Sequence, residues 1–124
     1  MSSTDVRVQD IMSSPVETIS RDATVADVAT KMRDEDISAL IVTTSPPSIV
    51  TSTDILDAVA EGSDTSTMDV SDIMTESVET IPPELRVGEA AAMMTNFGIN
   101  HLPVVQEGDY VGMISSTDIT AQVS

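Results

Sequence analysis

Two stretches of this chain read Ser-Thr-Asp-Ile: Ser52-Thr53-Asp54-Ile55 and Ser116-Thr117-Asp118-Ile119. Each follows a short apolar run and opens an amphipathic pattern, which puts hydroxyls and a carboxylate where a strand turns into a helix. Thr51 and Ser115 stand just before them, so a hydroxyl and a carboxylate recur at i and i+3. That spacing has two chemistries. As a capping device, the hydroxyl accepts a bond from a first-turn N–H while the carboxylate reaches back to the cap residue. As a ligand site, the free N–H groups and hydroxyls meet phosphate oxygens, and the carboxylate accepts from both hydroxyls of a ribose. In that second reading Ser115 and Thr117 face phosphate and Asp118 the ribose, with Thr51, Thr53 and Asp54 as the matching set.

Other chemistries find little to work with. There is no cysteine, so thiolate chemistry and disulfides are excluded, and the one histidine, His101, has no serine–acid partnership in view. The carboxylates show no metal-ligand spacing of the calcium-loop kind. The reading is of a protein that is not an enzyme, with no metal and no required cofactor.

The formal charge of −16 comes from 21 acidic residues against one lysine, Lys31, and four arginines. No basic face for a nucleic acid can be assembled from these, and Phe97 and Tyr110 alone offer no stacking surface. The acid is dispersed along the chain, as on a solvated surface. Such a composition resembles proteins of salt-accumulating archaea, where a Debye length of roughly 3 Å at molar salt screens the self-repulsion. No apolar run approaches the roughly 18–20 residues of a membrane span, and the N-terminus lacks the basic start and apolar core of a signal peptide. A cytoplasmic location without membrane contact is expected.

The elements that must position the two corners come from a tandem duplication. An offset of 62 residues aligns "VQDIMSSPVETI" with "VSDIMTESVETI", and pairs Val25 with Val87, Met32 with Met94 and Leu40 with Leu102. Two extra residues in the second copy's hairpin raise the offset to 64 and superpose the Ser-Thr-Asp-Ile corners. Each copy reads strand, helix, strand, strand, helix. The first strands are Val16 to Ile19 and Val78 to Ile81. Thr24 is the expected N-cap of a helix whose Val25, Val28, Ala29 and Met32 recur at core spacing. The equivalent helix covers Gly88 to Phe97, with Gly98 suited to a left-handed C-cap. Then come "ALIVT" and "SIVT" around Pro46 and Pro47, or "HLPVV" and "YVGMIS" joined by the hairpin residues Glu107 to Asp109. Met32, Met93 and Met94 read as packing residues, and Met12 and Met74 as core. One copy of about 50 residues cannot cover its own sheet, so the two should pack with pseudo-two-fold symmetry.

These residues carry a resemblance. "DIM", "V.TI", "GINHLPVV" (Gly98 to Val105) and "GMISSTDI" (Gly112 to Ile119) resemble the cystathionine β-synthase (CBS) domain, and two in tandem resemble the CBS pair, or Bateman module, over residues 8–123. The first copy departs from the pattern, with Asp36, Ile41 and Ser48 where the second has Gly98, Pro103 and Gly112. The resemblance implies an α/β fold of two β-α-β-β-α motifs, residues 1–62 and 63–124. It implies regulation by an adenosine-containing ligand such as AMP, ADP, ATP or S-adenosylmethionine. It further implies a homodimer in a four-motif disc and an unknown effector protein regulated in trans. His101 stands where the family often carries a basic phosphate contact; the first copy has Ala39. Adenine is expected against the opposite copy's first strand: Thr18, Ile19 and Ser20 for the Asp118 site, Thr80, Ile81 and Pro82 for the Asp54 site, with Met113 or Ile49 lining the base pocket. The strong negative charge favours AMP or a thioether nucleoside over ATP. Two rivals stand beside this: a ligand-free dimerisation or scaffold module, and a sensor of ionic strength.

Overall fold

The computed structural model of the chain describes residues 6–14, 16–76 and 78–123, so the first five residues of the first repeat lie outside it. Two compact units emerge, one from Glu17 to Val78 and the other from the described residues up to Val16 together with those from Glu79 onward.

The contiguous unit holds β1 (Thr18–Ile19), α2 (Val25–Glu35), β2 (Ala39–Val42), β3 (Ser48–Thr51) and α3 (Ser52–Ala60). β1 runs parallel to β2, which pairs antiparallel with β3 in the register Leu40↔Val50 and Ala39↔Thr51. The expected cap is present: Thr24 Oγ1 accepts from the Asp27 N–H (3.1 Å), and Asp27 Oδ2 accepts from the Thr24 N–H (3.3 Å). The helix therefore starts where its apolar stripe starts, and Val28 and Met32 meet Leu40, Val42, Val50 and Val70 in one buried cluster. Each such side chain contributes about 1.5–3 kcal/mol on leaving water. α2 ends at Asp36, held in the left-handed region at φ 54°. Lys31 Nζ donates to the Thr18 carbonyl (2.7 Å) and pairs with Glu17 (3.6 Å), fastening α2 to the edge strand. The unit is closed by residues 68–75: the Val25 N–H bonds the Met68 carbonyl, the Val70 N–H bonds the Ala23 carbonyl, and Ile49 and Thr75 exchange two bonds.

The second unit holds α1 (Val8–Ile11), α4 (Val87–Phe97), β4 (His101–Gln106), β5 (Asp109–Ser115) and α5 (Ser116–Val123). β4 and β5 form the expected hairpin, whose two turn residues, Glu107 (φ 53°) and Gly108 (φ 85°), both have the positive φ of a type I′ turn. Gly98 makes the anticipated left-handed C-cap (φ 66°). The helix begins one residue before the expected Gly88, at Val87. The core gathers Val8, Ile81, Ala90, Met94, Leu102, Val104 and Ile114.

The expected strand Val78 to Ile81 is reduced to a single bridge, Ile81↔Val104. In the first copy the Ile41 N–H bonds the Glu17 carbonyl. The matching residue is Pro103, which has no N–H to give, so that rung of the ladder cannot form. α1 belongs to this unit because Val8 is fully buried here and its N–H bonds the Leu85 carbonyl (2.8 Å). Ser13 and Met113 exchange two bonds, just as Thr75 and Ile49 do in the other unit. The spatial units thus cut the chain differently from the repeat boundary at 62/63. The leading segment of each sequence copy is packed among helices and strands of the other copy.

Candidate functional site

Both corners sit where the last strand of a unit becomes its last helix. β5 delivers Ser115 in extended backbone, and α5 then turns Asp118 back under it. Asp118 Oδ2 accepts from the Ser115 N–H (2.9 Å), and Ser115 Oγ accepts from the Asp118 N–H (3.1 Å), a closed reciprocal cap. At the other corner Asp54 Oδ2 accepts from the Thr51 N–H (2.9 Å) and again from the Thr51 hydroxyl (3.2 Å). The two hydroxyls therefore differ in where their hydrogens go. Ser115 accepts and keeps its own hydrogen for another acceptor, whereas Thr51 gives its hydrogen to Asp54. Capping and ligand binding are compatible at this geometry, because each cap engages one carboxylate oxygen of the pair.

His101 is brought to the second corner. It opens β4 directly opposite Ser115 in the hairpin register and is half-buried, as are Ser115 and Asp118. At the first corner Ala39 takes the same place opposite Thr51. Thr53 and Thr117 are both exposed on the first turns of their helices. Met113 lies in β5, half-buried, and Ile49 is buried in β3. Of the residues assigned to the base pocket, Thr18, Ile19 and Ser20 lie in the unit that carries Asp54, and Thr80, Ile81 and Pro82 in the unit that carries Asp118. Ile81 is a core residue: its N–H bonds the Pro103 carbonyl and its carbonyl accepts from Val105, so the exposed surface of that segment comes from Thr80 and Pro82. Ile19 likewise accepts from the Thr43 N–H (3.0 Å), while Thr18 and Ser20 are exposed.

Sequence reasoning missed the surroundings of Asp54. A pocket of about 280 Å³ beside it is lined by Asp57, Glu61 and Asp72, with Ala58, Met68 and Ile73. The signal was present: Asp54, Asp57 and Glu61 stand at i, i+3 and i+7, one face of a helix. A larger groove of about 420 Å³ between α4 and α5 is lined by Met94, Gly98, Ile99, Asn100, Ser116 and Ile119 among others, with no charged side chain. It opens on the face of α5 away from Asp118, which lies roughly 160° round the helix from Ser116 and Thr120 at 3.6 residues per turn. Among the described residues no three His, Asp or Glu side chains cluster as a metal site, and no helix is long and apolar enough to cross a membrane.

The geometry has counterparts. A family model for the CBS domain matches residues 8–61 and 70–124. The protein MK0525 of Methanopyrus kandleri is 29% identical over 92% of this chain, and the chain spans 61% of that protein's length. The hexameric CBS-CP12 protein from bloom-forming cyanobacteria superposes with a TM-score of 0.90 at 36% identity, over 94% of this chain and 71% of that one. The CBS domain pair of protein MJ0100, solved in complex with 5′-methylthioadenosine and S-adenosyl-L-methionine, superposes with a TM-score of 0.84 at 28% identity, over 96% of this chain and all of that one.

Proposed function

This chain belongs to the CBS domain family, and we propose that it is a regulatory module that binds an adenosine-containing ligand and acts in trans on a partner protein. The observation that carries this reading is the convergence of His101, Ser115 and Asp118 at one strand-to-helix corner. Asp118 accepts from the ribose hydroxyls, and the Ser115 hydroxyl and His101 meet the 5′ substituent. The ligand complex of the MJ0100 pair supports an adenosine moiety as the recognised unit. AMP, ADP, ATP and S-adenosylmethionine are the candidates, and the net charge of −16 favours those with the fewest phosphates. Ligand binding shifts the module between arrangements that its partner distinguishes. The working form in this reading is a cytoplasmic homodimer in a salt-rich interior.

Isothermal titration calorimetry in molar KCl tests it, with each candidate offered in turn. Saturable heat from one of them is expected. Asp118→Ala should weaken that ligand at least tenfold, since hydrogen bonds to a charged group are worth about 1.5–3 kcal/mol. The variant also loses a cap worth about 1 kcal/mol, so circular dichroism must show it folded. Unchanged affinity would sink the assignment.

A scaffold that binds no small molecule is the second reading. It is favoured by Leu56, Val59 and Phe97, which are 67%, 56% and 54% exposed on the helices. Silence from every ligand, with the protein folded and dimeric, would select it.

A further inference from the structure

We infer that the two corners of one chain are unequal toward anions: the Asp118 corner takes a phosphate-bearing adenosine ligand and the Asp54 corner rejects it. The inference rests on the adenosine-ligand reading and adds which corner serves which ligand charge. Three observations converge on it.

The first is the sense of the hydroxyl bonds. Ser115 Oγ accepts from the Asp118 N–H, so its own hydrogen is available to a phosphate oxygen. Thr51 Oγ1 donates to Asp54 Oδ2, so its hydrogen is already engaged and is not offered to a phosphate oxygen. The second is the lining. Asp57, Glu61 and Asp72 line a pocket together with Asp54, which adds negative charge on one side of that corner. In the unit that carries Asp118, Ala121 stands for Asp57, and Asp10 stands for Asp72 with its Oδ2 accepting from the Arg7 N–H (2.8 Å). The third is the residue opposite the cap. His101 faces Ser115 across the hairpin, whereas Ala39 faces Thr51 and brings no donor.

Equilibrium dialysis with AMP in 0.15 M KCl tests this. The wild-type chain should take up one equivalent. Asp118→Ala should take up none at concentrations that saturate the wild type. The triple variant Asp57→Asn/Glu61→Gln/Asp72→Asn, which keeps side-chain size at exposed positions, should take up two. Uncharged 5′-methylthioadenosine provides a control that needs no substitution, and it should fill both corners of the wild-type chain. Two equivalents of AMP on the wild type, or one on a folded triple variant, would overturn the inference and leave the ligand reading intact. If neither nucleoside binds any form, the ligand reading itself fails and this inference falls with it.

Discussion

Replacing Gly112 with alanine tests how the N-terminal segment is seated on the β4–β5 hairpin. A Cβ built on Gly112 would collide with Met12 Sδ, stand 2.8 Å from Met12 Cγ, and stand 3.1 Å from the Ser13 carbonyl oxygen. Carbon atoms in comfortable contact are about 3.5–4.0 Å apart. Met12 has torsions with which to retreat, but the Ser13 backbone does not. It is tied to Met113 through bonds of 2.8 and 2.9 Å in both directions. Extra methyl groups in a packed interior typically cost about 1–3 kcal/mol, and with one yielding and one fixed neighbour about 2 kcal/mol is expected. With a urea m-value of about 2 kcal/mol/M, that is a midpoint about 1 M lower, read by far-UV circular dichroism. Met12→Ala removes the yielding neighbour, so Gly112→Ala should cost at least 1 kcal/mol less in that background. A midpoint within about 0.2 M of wild type, or equal costs in both backgrounds, would refute this account of the packing.

Two further outcomes are expected. Lys31→Met, which copies Met93 of the second repeat, removes the 2.7 Å bond to the Thr18 carbonyl and the Glu17 pair; it should cost about 1 kcal/mol. The amides of Ile41 and Thr43, which bond the Glu17 and Ile19 carbonyls, should then exchange with deuterium about fivefold faster. The second outcome concerns pH. The Ser66 side chain at 2.6 Å, followed by the Ser66 N–H, holds the Asp64 carboxyl below its ordinary value. A depressed folded pKa means stability present above the unfolded value and lost as pH falls through the folded one. Carbon-13 titration should therefore show Asp64 moving up in Ser66→Ala, and the variant should lose less stability in acid than the wild type; an unmoved Asp64 would contradict the cause.

The repeat made most of the fold legible. Matching apolar positions at fixed offsets located both helices, the hairpins and the corners, and Thr24, Gly98 and the Glu107–Gly108 turn behaved as their residue types require. What stayed hidden depends on partners distant in sequence. Pro103 reads as an ordinary family proline until the Ile41 bond to Glu17 shows which rung it deletes. Asp36 looks unsuited to the place of Gly98, yet a short polar side chain tolerates the left-handed conformation there. At the site, residue types and i/i+3 spacing foretold the caps, and the family resemblance pointed to His101, which the hairpin register sets opposite Ser115. The direction of each hydroxyl bond was beyond sequence, because serine and threonine donate or accept as their neighbours allow.

The exchange of leading segments sets an order of assembly. The unit from Glu17 to Val78 interrupts the chain of the other, which must join Arg7 to the Glu84 carbonyl across 77 positions. Closing a flexible loop of that length costs about 4 kcal/mol, in addition to a length-independent part, before any contact repays it. Once the interrupting unit has folded, the free loop shrinks to the few residues on either side of it. The interrupting unit should therefore form first, whether in refolding or as the chain leaves the ribosome, and template the closure of the other. Pulse-labelled hydrogen exchange during refolding would show the Ile49 and Thr75 amides protected ahead of Val8 and Gln9; the reverse order would exclude it. A duplicated sequence, with two nearly interchangeable halves, would then fold along a one-way path.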